Sequence, residues 1–304
     1  MSGFAPLEKI LGKGRSALVR IQVYGRMIKF SHTVFALPFA LAAVILAQRQ
    51  HPFTVRSLFW ILIAMAGARS AAMGFNRITD ARFDARNPRT AGREIPSGQL
   101  STAATAVFVV LSSMIFVQAA AKLGELCFYL SFPVLGILLL YSYTKRFTWM
   151  AHLYLGFAIS LAPLGAWIAV TGRFSWEILP LSLALMTYIA GFDILYACQD
   201  IDFDRSEGLF SMPVRFGIGG ALWIARLIHS LSFGLFLALF FIFDMRGPYL
   251  MCVGAIGLLL LFEHWLVRPD DLSRIHIAFF HVNSIISVSL LTGVAGDEII
   301  RRLF

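Results

Sequence analysis

Apolar residues in this chain come in runs of about twenty, separated by short polar stretches, which is the pattern of helices that cross a hydrocarbon layer. Nine such runs are readable, at roughly 31–49, 55–79, 100–121, 124–143, 150–171, 174–197, 218–243, 247–266 and 273–296. No alternation of period two marks a strand, and the runs are far too long for barrel strands. The pattern therefore predicts an all-α integral membrane protein with about nine transmembrane helices, in which every backbone N–H and C=O is paired within its own segment. Nothing long enough for a separate soluble domain remains, so residues 31–304 read as one transmembrane domain behind a basic segment, 1–30.

Composition narrows the class further. The 304 residues are 58% hydrophobic and only 14% charged, so a soluble enzyme, a disordered scaffold and a nucleic-acid binder are excluded. The net charge of +9 has a membrane explanation, because cytoplasmic loops concentrate Lys and Arg. With nine spans, 17 of the 26 Lys and Arg fall on the N-terminal side of the layer and 7 on the other, while Arg69 and Arg226 lie inside helices. This predicts a cytoplasmic N-terminus and an outer C-terminus; with no convincing transit peptide in the sequence, the membrane expected is the bacterial inner membrane. No small-residue cleavage site precedes the first run, so a cleaved leader is not expected. Residues 17–29 interleave apolar residues with cations and are expected to lie on the membrane surface as an amphipathic helix. Cys127, Cys198 and Cys252 are scattered through apolar runs, with no metal or disulfide spacing, and read as packing residues. The histidines, among them His152, His229 and His264, show no ligand spacing either, and read as packing or helix-end residues.

The chemistry concentrates at the cytoplasmic ends of the second and sixth runs. Asn76, Asp80 and Asp84 recur every four residues, which stacks three oxygen donors along one helix face. Asp200 and Asp204 repeat the pair 120 residues later, with Asp193 about two turns ahead on the same face. Four helices intervene, so both clusters open on one side, as expected for two pseudo-repeats, about 31–143 and 150–266, followed by a ninth helix at 273–296. The short Gly217-Ile218-Gly219-Gly220 stretch lacks the context of a dinucleotide loop.

Ionisable residues at membrane depth are costly and point to function. Carboxylate and amide oxygens suit Mg2+, which binds through one or two carboxylates and fills its shell with water and phosphate oxygens. Two facing clusters are suited to hold a diphosphate between them, with Arg77, Arg82, Lys145 and Arg146 supplying charge to the departing anion. A diphosphate carried on an apolar tail is an isoprenoid diphosphate.

The motifs carry a resemblance. Asn76-xxx-Asp80-xxx-Asp84 with Arg89-Thr90-Ala91-x-Arg93-xx-Pro96-x-Gly98, then Tyr143-Thr144-Lys145-Arg146, then Asp193…Tyr196-xxx-Asp200-xxx-Asp204 with Gly208-xx-Ser211-x-Pro213, resemble the UbiA superfamily of intramembrane aromatic prenyltransferases. The resemblance covers nearly the whole chain. It implies a helical bundle around a central cavity, Mg2+ dependence, and transfer of a polyprenyl group from its diphosphate to an aromatic acceptor, most simply 4-hydroxybenzoate in respiratory quinone (ubiquinone) biosynthesis. By the same resemblance Asn76, Asp80, Asp84, Asp200 and Asp204 hold the metal, and Lys145 contacts the diphosphate. Arg69 matches an Arg of the 4-hydroxybenzoate branch. That branch usually begins its first helix with an Arg-Pro pair proposed to grip the acceptor's carboxylate, whereas this chain has Lys29-Phe30-Ser31-His32, leaving Lys29, His32 and Arg69 as the acceptor candidates. The pattern is also similar to members proposed to prenylate a naphthoate in menaquinone synthesis. Asp193 is a candidate proton acceptor, and Tyr196 a further residue at the diphosphate.

The rival class is an ion-coupled carrier, since intramembrane acids and an internal repeat also describe transporters. Against it, the acids lie at helix ends rather than midspan, and the repeat is parallel rather than inverted.

Overall fold

The computed structural model of the chain describes residues 22–303; beyond these lie residues 1–21 and residue 304. Among the described residues all regular structure is helical, apart from one isolated bridge between Arg268 and Asp271. Numbered along the chain, the helices are α1 (Leu37–Ala47), α2 (Val55–Thr79), α3 (Ala81–Arg86), α4 (Thr102–Leu123), α5 (Glu125–Thr144), α6 (Ala151–Thr171), α7 (Leu179–Ala197), α8 (Ile201–Ser206), α9 (Met212–Ile242), α10 (Gly247–Leu266) and α11 (Asn283–Leu303). A 3₁₀ turn, Phe30–Phe35, precedes α1, and a π-helical turn, Ile277–Val282, leads into α11.

Eight of the described helical stretches are long and apolar enough to cross a membrane. The ninth expected run is shorter, a helical stretch at Thr33–Ala47. Its α-helical part, α1, has 11 residues and a length of about 16 Å, against about 30 Å of hydrocarbon. It need not face lipid, because Pro38, Phe39, Ala40, Ala42, Ala43, Val44, Leu46 and Ala47 are all buried, and α1 packs inside the bundle against α6 and α11. Large apolar side chains such as Val107 and Leu111 on α4 and Leu258 and Leu261 on α10 point outward instead, as lipid-facing positions do.

Two backbone breaks shape the interior. Helix α2 stops at Thr79 and α3 resumes at Ala81, with Asp80 between them at φ −94°, ψ 1°. Helix α7 passes through a 3₁₀ turn, Cys198–Asp200, into α8, and Asp200 there adopts φ −102°, ψ 6°. Both aspartates thus occupy the sparsely used region between helix and strand where active-site residues collect. The helical hydrogen bonds nevertheless carry through the first break, from the Asp80 N–H to the Asn76 carbonyl (2.9 Å) and from the Asp84 N–H to the Asp80 carbonyl (2.8 Å), and Asn76, Asp80 and Asp84 keep to one side, as their spacing predicts.

Helices α6 and α7 approach so closely that a Cβ on Gly156 would lie 2.2 Å from the Met186 carbonyl oxygen, so only glycine fits at 156. The glycine-rich stretch after Ser211 is a kink: Gly217, at φ 69°, ψ 170°, interrupts α9 in a conformation open to glycine alone.

Residues 22–27, within the segment 17–29 expected to be an amphipathic helix, form a helical turn that packs on the protein. Val23 and Met27 are buried with Leu100, Tyr24 stacks on Phe108 at 4.7 Å, and Arg26 donates to Gln99 at 3.3 Å. The rest of that predicted amphipathic segment, 17–21, lies outside the described residues.

Candidate active site

Asp80, Asp84, Asp200 and Asp204 line one polar chamber of about 180 Å³, together with Asn76 and Asp193. Helix α3 carries the first motif across to the second: Arg86 pairs with Glu207 just beyond α8 at 2.8 Å. The loop after α3 reaches further, where Arg89 forks onto Asp200 (Nε to Oδ1 2.9 Å, Nη2 to Oδ2 2.6 Å) and Asn87 donates to the same carboxylate at 3.4 Å. The planar guanidinium matches the two carboxylate oxygens, so this contact fixes direction as well as distance.

Every motif aspartate in the chamber holds a cation. Arg93 Nη1 donates to both oxygens of the buried Asp84, at 2.6 and 2.8 Å. Lys145 lies 3.4 Å from the buried Asp204. Its neighbour Arg146 turns the opposite way, 3.4 Å from Asp80, where it also donates to the Thr79 carbonyl at 2.7 Å and lies over the rings of Tyr143 and Phe83. Adjacent residues at the end of α5 therefore serve the two motifs separately. Burial works against the Lys145 ammonium, but Asp204, Asp193 and Asp200 outweigh it and raise its pKa above the ordinary lysine value. Asn76 donates to Asp80 at 2.7 Å, leaving its own amide oxygen for another partner. Among the described residues no three His, Cys, Asp or Glu side chains already converge as a ready-made cation cage. By chemistry the donors in the chamber are hard oxygens, the set a divalent cation such as Mg2+ accepts.

Below this chamber lies an apolar cavity of about 460 Å³. Asn76, Arg93, Tyr141, Asp193 and Tyr196 line both, and so mark the junction. Along α2 the cavity wall runs from Asn76 to Ile61, and along α5 from Tyr141 to Cys127, a depth of about 20 Å at helical rise. Near the junction Lys29 and Arg69 enter the wall. Lys29 is held in a left-handed conformation, φ 47°, and its carbonyl accepts from Arg69 Nη2 at 2.8 Å. Arg69 Nε and the hydroxyl of Thr33 are buried beside the cavity without a hydrogen-bond partner among the described residues.

This is the arrangement the motifs anticipate, and residues 36–285 match the UbiA prenyltransferase family. The chain belongs to that family. Its relatives include the 4-hydroxybenzoate octaprenyltransferase of Alcanivorax borkumensis, 34% identical over 66% of this chain and 69% of the relative. Among solved structures, the UbiA homolog from Aeropyrum pernix superposes with a TM-score of 0.79 at 31% identity, covering 90% of this chain and 98% of that one. The UbiA homolog from Archaeoglobus fulgidus bound to GPP and Mg2+ shares the fold, with a TM-score of 0.69 at 18% identity over 90% and 99% of the two chains. A prenyltransferase family match removes the carrier reading.

Of the positions singled out in the sequence, the UbiA-type chamber gathers Asn76, Asp80, Asp84, Lys145, Arg146, Asp193, Tyr196, Asp200 and Asp204. Two of the expected diphosphate cations are placed elsewhere. Arg77 is 2% exposed, 3.6 Å from Glu94, and borders the apolar cavity rather than the polar chamber. Arg82 is exposed and lines neither, because on the short α3 the side chain two residues before Asp84 points away from it. The side chain of His32 lies outside the described residues.

Three residues were not anticipated in the roles they take. Arg89 and Arg93 are the partners of Asp200 and Asp84, and their only sequence signal is a spacing of four inside the Arg-Thr-Ala-x-Arg stretch. His152, which reads as a packing residue, is fully buried, with Nδ1 2.7 Å from Asp193. Its Nε2 accepts the Met212 N–H at 3.4 Å, which leaves the ring proton on Nδ1, facing the carboxylate. No spacing in the sequence signals this contact, because it joins α6, α7 and the start of α9.

Proposed function

We propose that this chain transfers a polyprenyl group from an isoprenoid diphosphate to 4-hydroxybenzoate, releasing diphosphate. The observation that carries the reading is the continuity of a chamber of paired carboxylates and cations with a deep apolar cavity that has Lys29 and Arg69 at its upper wall. The Alcanivorax borkumensis relative supports the choice of acceptor by its name.

The diphosphate occupies the polar chamber. Mg2+ held by Asn76, Asp80, Asp84, Asp200 and Asp204 would supply the positive charge against which the diphosphate leaves with the C–O bonding pair. The binding of GPP and Mg2+ by the Archaeoglobus homolog supports that assignment. Arg89, Arg93, Lys145 and Arg146 line the same chamber and offer N–H donors to the phosphate oxygens. The isoprenoid tail runs down the apolar cavity, which places its first carbon at the junction.

The acceptor enters beside Lys29 and Arg69. Its carboxylate satisfies the unpartnered Arg69 Nε and Thr33 hydroxyl, which otherwise stay buried at a cost of about 1–3 kcal/mol each. The ring carbon ortho to the phenol attacks the allylic carbon, and Asp193 takes the displaced ring proton. His152 donates one hydrogen bond to Asp193, which fixes its orientation and leaves the second oxygen for that proton. The excess of Lys and Arg on the chamber's side of the bundle supports a mouth that opens to the cytoplasm.

The test is transfer in detergent micelles with Mg2+, geranyl diphosphate and either 4-hydroxybenzoate or 1,4-dihydroxynaphthoate. Prenylated benzoate is the expected product. Product from the naphthoate alone moves the protein to menaquinone synthesis, and no product from either overturns the reading.

Acceptor binding also carries a pH signature. Burial, followed by repulsion from Arg93, Arg77, Arg89 and Arg69, lowers the Lys29 pKa to about 8. Lys29 is therefore charged below pH 8 and loses its attraction for a carboxylate above it. KM for 4-hydroxybenzoate is expected to rise as pH passes about 8 while KM for the donor stays level. Lys29→Gln should remove that rise and leave KM high at every pH; an unchanged pH profile in the variant removes Lys29 from the acceptor site.

A further inference from the structure

Away from the carboxylate chamber, a second group of polar side chains is buried inside the bundle, between α7, α9, α10 and α11. Glu263 and Asn283 are both 0% exposed, and His229 beside them is 2% exposed. An acid in the interior of a membrane span is costly, and the transfer mechanism above makes no use of this one. One Glu263 oxygen accepts from Asn283 Nδ2 at 2.9 Å, and the other, 3.7 Å from His229 Nδ1, has no hydrogen-bond partner among the described residues.

The position of Asn283 explains why the acid is there. Asn283 directly follows the π-helical turn Ile277–Val282, where the wider coil leaves carbonyls without their usual partners. Its Nδ2 also donates to the carbonyls of Ala278, at 3.0 Å, and Phe279, at 3.2 Å. The Asn283 carbonyl in turn accepts from the Tyr188 hydroxyl at 2.8 Å. Glu263 thus anchors the amide, and the amide holds the turn.

What the turn presents is Phe279. Its ring lies 4.1 Å from Tyr196, 5.3 Å from Phe192 and 5.6 Å from Phe35, and all four rings line the apolar cavity. Tyr196 belongs to the polar chamber as well, and its hydroxyl accepts from Arg89, the guanidinium that forks onto Asp200. Through Tyr196, which lines both spaces, the wall formed by the four rings reaches the junction assigned to the donor's first carbon. A π-turn contains one residue more than an α-turn, so relaxing it to α-helix rotates the preceding side chains by about 100° relative to α11. Phe279 would then leave Tyr196.

We propose that Glu263 and Asn283 are positioning residues that hold the π-turn so that Phe279 closes an aromatic wall around the reacting end of the donor. The inference rests on the prenyl-transfer reading for its chemistry and on the turn itself for its geometry. When the C–O bond of the donor breaks, both electrons leave with the diphosphate, and the allylic carbon takes an electron pair from the acceptor's ring carbon, which then loses its proton. If water supplies the pair instead, a C–O bond forms, and the products are the free prenol and a proton. An aromatic wall excludes that water and attracts the developing positive charge through the ring faces.

The ratio of prenol to prenylated acceptor reads the wall directly, and general loss of stability does not change it. Glu263→Leu and Asn283→Leu are expected to raise that ratio by on the order of tenfold, the size of a lost cation–π contact, with donor KM unchanged. Glu263→Gln keeps the acceptor oxygen for Asn283 and should restore the original ratio. Phe279→Leu should raise it equally, and combining it with Glu263→Leu should add nothing, because both changes remove the same contact. An unchanged ratio in Phe279→Leu, or additive effects in the double variant, overturns the proposal. Should the leucine variants at 263 and 283 not fold, Phe279→Leu alone decides. Hydrogen exchange across residues 277–283 gives a readout independent of turnover: it should accelerate in Phe279→Leu far less than in Glu263→Leu, and Glu263→Gln should match the unaltered chain. Equal exchange in Glu263→Leu and the unaltered chain overturns the anchoring role even if the protein proves not to be a prenyltransferase.

Discussion

Asp84→Asn and Asp204→Asn are each expected to lower kcat by at least about two orders of magnitude, with geranyl diphosphate and 4-hydroxybenzoate as substrates. The reasoning starts from charge. Both carboxylates are buried in the chamber, Asp84 against Arg93 and Asp204 against Lys145, and both contribute negative oxygens to the set assigned to the metal. Asparagine keeps the volume and one acceptor oxygen but removes the full charge. If clamping the diphosphate lowers the barrier by about 3 kcal/mol, losing one arm of the clamp costs about a hundredfold. Because Asn still accepts a hydrogen bond from Arg93 or Lys145, thermal stability in detergent should fall far less than activity does. Turnover within tenfold of the unaltered protein in either variant would show that the two motifs do not act as a clamp.

The largest stability loss is expected at the opposite end of the bundle. Arg49, just beyond α1, donates to Glu298 at 3.1 Å and Asp297 at 3.0 Å, and also to the Phe243 carbonyl. Asp297 is fully buried and also accepts the Arg246 backbone N–H. One guanidinium thereby ties the end of α1 to the α9–α10 turn and to α11. Arg49→Leu leaves a buried carboxylate without its main partner, which costs about 3–5 kcal/mol for a fully buried pair. Arg301, 4.0 Å from Asp297, and Arg302, 3.0 Å from Glu298, offset part of this, so a loss near 3 kcal/mol is expected. Thermal unfolding in detergent measures it. A loss below about 1 kcal/mol would mean that Arg301 takes over the buried charge.

The helices and the candidate chemistry were largely legible along the chain. Lipid offers no hydrogen-bond partners, so a membrane span must be a long apolar helix and announces itself by length. The eight long stretches agree with the runs read from the sequence, with soft ends at 79 and 197, where α3 and α8 continue the helical path. The first run misled in length, because apolar composition alone does not distinguish a helix facing lipid from one enclosed by protein, as α1 is. The aspartates stood out because charge at membrane depth is rare. Helical spacing, though, does not reveal that the backbone breaks at Asp80 and Asp200, a departure of a few tens of degrees within one residue.

By itself, then, the sequence determined that the chain crosses the membrane repeatedly as helices, and that two aspartate motifs open on the same side. Both follow from local rules, the apolar length of a span and the 3.6-residue turn. Tertiary structure alone decided the partners: Lys145 to Asp204 but Arg146 to Asp80, Arg89 to Asp200, His152 to Asp193, and Glu263 beneath the π-turn. It also turned Arg77 toward Glu94 and Arg82 to the surface. These pairings join residues brought together by helix packing, and the periodicity of one helix sets which face a side chain occupies but not which distant element closes over that face.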